Sequence, residues 1–203
     1  MAYLEAAQRS KQVVAAARVA IMRDGVAATT MRSVAAEAGI PLGTLQYVFP
    51  TKQGLLHAVI EDFVEEIAGL LHSSAELDRG LEHAIRHGLR NFWSHLVVDH
   101  RELQLVQYEL VTYAQRTPGL ENLSRWQYER YSRVVADWTQ QAAARAGETC
   151  PIPYATLARI IVGALDGLIV QHVVNPDVRR SSEDLDIVID MLVGLALAPP
   201  DRR

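Results

Sequence analysis

Thr44, Gln46 and Tyr47 fall within four consecutive residues and carry the chemistry needed to read a nucleic acid. A glutamine amide presents a donor beside an acceptor, the pattern that pairs bidentately with an adenine edge in the major groove. A threonine hydroxyl bonds a base edge, and a tyrosine phenol is long enough to reach a phosphate oxygen. Contacts of this kind discriminate only when a stiff element carries them.

The sequence supplies one in residues 30–52, TMRSVAAEAGIPLGTLQYVFPTK. Val34, Ala35 and Ala38 recur at helical spacing, which predicts a short helix over Met31–Ala38 with Thr30 capping its first turn. Gly39 takes the left-handed backbone that ends a helix, Ile40 plugs the turn, and Pro41 suits a helix start. A second short helix is expected over about Leu42–Val48. Thr51 then re-caps the chain after Pro50, and a longer helix begins at Lys52. Two helices about a glycine-containing turn make a helix-turn-helix, whose second helix enters the major groove in DNA-binding versions. A helical hairpin inside a larger bundle satisfies the same pattern.

The stretch GTLQYVFPTKxxLL from Gly43 to Leu56 resembles the motif of the TetR family of bacterial transcriptional regulators. So do Thr29–Thr30, the run Val34-Ala35-x-x-Ala38-Gly39 and the helix end from Ala17 to Gly25, so the likeness spans about residues 9–60. Gln46 stands where many members carry Tyr, and Val48 where His or Tyr is common; these positions help to set which operator is read. The resemblance implies a DNA-contacting set of Thr30, Arg32, Gly43, Thr44, Gln46, Tyr47 and Lys52. Lys52 matches a characteristic family lysine and is expected on a phosphate. Arg32 begins the first motif helix, where helix N-termini face a phosphate. Arg9 and Lys11 are further candidates for the DNA backbone.

Charge is distributed to match. The chain carries a net charge of −4. Residues 1–52 nevertheless hold six Lys or Arg against three acids, and the remainder 14 against 21. A basic head on an acidic body neutralises phosphates at one end only.

The elements that position the motif are predicted from periodicity. Leu4–Asp24 reads as one helix with Val14, Ala17 and Ile21 on a shared face. Lys52–His72 is a longer amphipathic helix bearing Leu56, Ile60, Phe63, Ile67 and Leu70. Further helices are expected over Leu77–Val98, with Leu81, Ile85, Leu89, Phe92 and Leu96 at spacings of three and four, and over Arg101–Gln115, Leu120–Ala146 and Tyr154–Val174. Ser181 with Asp184 three residues on reads as a capping box for a last helix over Glu183–Leu197. The expected fold is all-α with about nine helices: a three-helix head over residues 1–52, and a ligand-binding and dimerisation domain over 53–203.

Family members bind a small inducer among their body helices. Aromatics concentrate there, and Phe63, Phe92, Trp93, Gln107, Tyr108, Trp126, Tyr131 and Leu165 are the candidate lining, since a pocket needs apolar walls with a few oriented polar groups. The same side chains also suit an ordinary core. Tyr154–Val174 is apolar around most of its circumference, and Gly163 and Gly167 permit close approach of another helix. With the last helix, the resemblance implies a two-fold four-helix interface drawn from Ile160, Gly163, Gly167, Val170, Val188, Leu192 and Leu195. Completion of a monomer core is the alternative.

Other classes find little support. With 49% hydrophobic and 22% charged residues, the chain is built for a well-buried core. No apolar run escapes interruption over the roughly 18 residues of a membrane span, and the N-terminus lacks a secretory layout, so a cytoplasmic protein is expected. His83 and His87 are spaced for a metal but lack a third ligand, and Cys150 lacks a neighbouring base in sequence. No nucleophile elbow, phosphate loop or dinucleotide fingerprint is present, so neither catalysis, a metal nor a cofactor is expected. The sequence therefore points to a ligand-responsive repressor that binds a palindromic operator in double-stranded DNA as a homodimer. A small-molecule binding protein that has lost DNA function is the second reading.

Overall fold

The computed structural model describes residues 2–73, 77–98 and 100–197. Among them the chain forms nine α-helices and one 3-10 turn, with no strand. In order these are α1 (Ala2–Asp24), α2 (Met31–Glu37), α3 (Leu42–Val48), α4 (Lys52–Ser73), a 3-10 turn (Leu77–Arg79), α5 (Gly80–Leu96), α6 (Arg101–Arg116), α7 (Glu121–Ala146), α8 (Tyr154–Val174) and α9 (Val178–Leu197).

Two compact units emerge, residues 1–65 with 105–127, and residues 66–104 with 128–203. The boundary drawn from sequence after Lys52 falls inside the first unit, which also recruits most of α6 and the start of α7.

In the first unit, α1 buries Val14, Ala17 and Ile21, and α4 buries Leu56, Ile60 and Phe63, as the 3.6-residue stripes require. The two motif helices contribute Val34, Ala35 and Leu45 to that core. Arg18 spans α1 and α4, pairing with Asp62 at 2.5 Å while its guanidinium lies 4.3 Å from the Phe63 ring centroid.

In the second unit, α5 packs on α9 and α9 on α8. Leu81, Ile85, Leu89 and Leu96 line the buried face of α5, but Trp93 is buried in place of the expected Phe92, which is half-buried. The Glu148 carboxylate accepts the Leu81 N–H at 2.6 Å and so satisfies one of the orphan amides where α5 restarts after the 3-10 turn.

Two sequence expectations are corrected. The last helix begins at Val178, five residues early, because Asp177 caps it by accepting the Arg180 N–H at 3.0 Å. That bond holds the Asp177 carboxyl below its usual range. Ser181 is no cap: it is buried inside the helix and its hydroxyl donates to the Val178 carbonyl. Secondly, α8 is by length and composition apolar enough to cross a membrane, with a mean hydropathy of 1.7 over 18 residues. Arg159 and Asp166 interrupt the run and lower its average, but the surrounding Ile, Leu and Val residues keep it high. A helix that buries apolar surface on several sides reaches the same composition.

Candidate nucleic-acid interface

The turn between α2 and α3 is built as its residues dictate. The Thr30 hydroxyl accepts the Ser33 N–H at 3.0 Å, and the Ser33 hydroxyl oxygen accepts the Thr30 N–H at 2.9 Å, closing a reciprocal cap on α2. Gly39 adopts φ +65°, the left-handed region that penalises any Cβ. From that geometry the Gly39 N–H donates to Ala36 and the Ile40 N–H to Ala35, the paired bonds of a Schellman stop. Gln12 of α1 donates to the Ala38 carbonyl at 2.9 Å, tying this end of α2 to the head. Thr51 caps α4 by accepting the Gly54 N–H at 3.0 Å.

Helix α3 has one inward residue and a solvent face. Leu45 is 0% exposed, and burying a leucine contributes about 1.5–3 kcal/mol, which anchors the helix. Tyr47 is 89% exposed. Gly43 and Gln46 are exposed beside it and Thr44 is half-buried. Gly43 meets nothing within 4 Å on its Cβ side, so its backbone lies open to an approaching partner.

The head's cations divide into two groups. Arg9, Lys11 and Arg32 are exposed. Arg23 pairs with Asp24 at 2.9 Å and Glu37 at 2.7 Å, which raises the pKa of the guanidinium and lowers that of the Asp24 carboxyl. Lys52, expected on a phosphate, is held by partners within the first unit. Its ammonium donates to the Val26 carbonyl at 2.8 Å and sits 4.9 Å from the Tyr113 ring centroid, so a buried acceptor and an aromatic face compete for it. Thr30 is likewise engaged, its hydroxyl belonging to the α2 cap.

The eight side chains offered for a ligand pocket fall in both units. In the first, Phe63 is buried under Arg18, and Trp126 meets His57 edge-on at 4.5 Å. Burial lowers the His57 pKa, with Glu61 acting in the opposite sense. Gln107 accepts from Gln127 at 3.1 Å, and Tyr108 is half-buried. In the second, Trp93 meets His172 edge-on at 5.8 Å, Tyr131 packs on Tyr128 at 6.1 Å, Leu165 is buried and Phe92 half-buried. Burial, with the Asp166 carboxylate beside it, pushes the Tyr128 phenol well up.

Sequence reasoning did not single out the buried His172, nor the full burial of Trp138. The ring nitrogens Nε1 of Trp93, Nε1 of Trp138 and Nδ1 of His172 are buried and have no hydrogen-bond partner among the described residues. An open groove of about 410 Å³ also lies over Trp93 and Leu185, rimmed by the Arg90–Asp186 ion pair.

The faces of α8 and α9 separate the residues proposed for an interface. Ile160, Gly163, Gly167 and Val170 share an outward stripe, and a Cβ on either glycine would meet open space. On α9 the stripe is different from that expected. Leu192 is only 3% exposed and belongs to the subunit's own core, while Val188 and Leu195 are half-buried. Away from the ends of α9, Ile187, 61% exposed, and Met191, 69% exposed, face outward four apart on one face. Neither was singled out by sequence, because α9 carries apolar residues on more than one side.

A helix-turn-helix head followed by an all-helical body defines a class of DNA-binding regulator, and sequence comparison gives the family. Residues 13–59 match the model of the TetR family of bacterial regulatory proteins, and residues 83–196 that of tetracyclin repressor-like C-terminal domains. The chain belongs to the TetR family and is a helix-turn-helix transcriptional regulator with a DNA-binding head and a ligand-binding C-terminal domain.

Over 185 residues it is 29% identical to the HTH-type nicotine-responsive transcriptional repressor HdnoR of Paenarthrobacter nicotinovorans, covering 90% of this chain and 92% of that one. The solved structure of multidrug binding protein EbrR complexed with malachite green is similar at 25% identity and a TM-score of 0.64, covering 93% of this chain and 98% of that one. A TetR transcription regulator from Haloarcula marismortui shares the fold at 17% identity with a TM-score of 0.70, covering 94% of this chain and 97% of that one.

Proposed function

We propose that the protein is a cytoplasmic, homodimeric repressor that binds a palindromic operator and is released by a small organic ligand. The carrying observation is Tyr47, 89% exposed beside exposed Gln46, on a helix whose next residue inward, Leu45, is wholly buried. A large aromatic held out into solvent by a rigid anchor is suited to meeting a partner. The repressor sense is supported by the name of HdnoR. A small organic ligand is supported by the nicotine response of that relative and by the malachite green complex of EbrR. Thr44, Gln46 and Tyr47 read bases and phosphate, and exposed Arg32 neutralises a phosphate. An inducer acts by preferring a dimer state whose heads are wrongly spaced for DNA, and it releases DNA only to the extent of that preference.

The outward apolar stripes of α8 and α9 are best served by a second subunit, which also accounts for the surplus hydrophobicity of α8. A two-fold dimer sets its recognition helices on half-sites about 34–36 Å apart, or a multiple of that. The double variant Ile187→Glu/Met191→Glu places two carboxylates on that face and is expected to sediment as a folded monomer. It should lose at least about tenfold in affinity for a palindromic duplex while retaining its helical circular dichroism. A double variant that remains dimeric would remove this face from the interface.

A further inference from the structure

Both backbone polar groups of one buried residue, Val26, are held by charged side chains from two different helices. Val26 is 0% exposed and follows Gly25, whose φ of +81° ends α1. Its N–H donates to Glu109 Oε1 of α6 at 2.8 Å. Its carbonyl accepts from the Lys52 ammonium, at the start of α4, at 2.8 Å. Tyr113 lies one turn beyond Glu109 on α6, and its ring faces the same ammonium. A Cβ at Gly25 would come within 2.8 Å of Glu109 Oε1, so glycine there serves the left-handed turn and the approach of the carboxylate together. Downstream, the Thr29 hydroxyl donates back to the Gly25 carbonyl at 2.7 Å, and the chain enters the α2 cap at Thr30.

We infer that Lys52 and Glu109 are positioning residues that clamp the Val26 backbone, fixing the helix-turn-helix against α6, and that Lys52 serves DNA binding through this clamp instead of by touching a phosphate. The inference deepens the proposed operator-binding function and rests on it. Hydrogen bonds to ionised partners are roughly twice as strong as neutral ones, and removing either side chain strands a buried backbone group. The turn then settles elsewhere and takes α2 and α3 with it. A phosphate contact behaves differently, because each one adds about 0.9 to the slope of log affinity against log salt.

The test uses the full chain and the duplex that the wild-type protein enriches from a random pool. Lys52→Met and Glu109→Ala are each expected to lose about tenfold in affinity at every salt concentration, with the wild-type salt slope. Glu109→Gln retains an acceptor oxygen and should bind close to wild type. Amide exchange gives a readout independent of DNA: the Val26 N–H should exchange faster in Glu109→Ala and at the wild-type rate in Glu109→Gln. A slope shallower by about 0.9 in Lys52→Met, or an unchanged Val26 exchange rate in Glu109→Ala, would overturn the clamp. Should the wild-type protein enrich no duplex, the operator-binding function fails, and the exchange comparison by itself decides whether Glu109 holds the turn.

Discussion

Replacing Gly88 with valine is expected to destabilise the protein by about 2–3 kcal/mol, although the position is the interior of a helix where glycine is a poor choice. On an open helix face the change from glycine to alanine stabilises by up to about 1 kcal/mol. Here the added Cβ would lie 2.3 Å from Trp138 Cζ2 and 2.7 Å from Cη2, far inside contact distance. Trp138 is 0% exposed, so the ring has no solvent to retreat into. Alanine already forces the ring or the backbone of α5 to shift, and the second branch of valine compounds it. Equilibrium denaturation at one fixed protein concentration is the measurement, because the proposed dimerisation would make apparent stability concentration-dependent. A midpoint that falls with unchanged slope is the expected result. A rise for Gly88→Ala would show that the indole reorients freely and that the packing of α5 on α7 is not rigid.

The second large effect concerns operator choice. Gln46→Ala removes an exposed amide from the recognition helix and should change the preferred base at one position in each half-site, where a bidentate pair discriminates by about 1–3 kcal/mol. Arg32→Ala should weaken every sequence alike and flatten the salt dependence by about 0.9 for each phosphate that the guanidinium neutralises. Affinities for a panel of single-base operator variants at several salt concentrations separate the two. Equal reductions on every variant for both proteins would end this division between base reading and phosphate anchoring.

What was legible in the sequence was what is local. Thr30, Gly39, Pro41 and Thr51 each act on a backbone within a few residues: Thr30 caps α2, Gly39 and Pro41 shape the α2–α3 turn, and Thr51 caps α4. Lys52 was identified by type and place, but its direction is set by Val26 and Tyr113, which are remote in sequence, and so its inward turn was invisible. The true start of α9 was hidden by a competing signal: Ser181 and Asp184 imitate a capping box, while Asp177 supplies the cap. On α9 the period was clear and the orientation was not. Contacts with α5 and α8 decide that Leu192 faces inward and that Ile187 and Met191 face out. The same ambiguity exchanged Phe92 for Trp93 on α5, one residue apart. The ligand's identity has no local signature, since aromatic residues at helical spacing serve cores and pockets alike.

The central claim is that this regulator reads a two-fold DNA site through α3. The most direct test is selection of bound duplexes from a random pool by the purified full chain, at low salt and without added ligand. The account predicts an enriched palindrome with half-sites about one helical turn apart or a multiple of that, whose preferred base changes when Gln46→Ala replaces the wild-type protein. Enrichment of no motif would contradict it, and would leave a ligand-binding protein whose head no longer reads DNA.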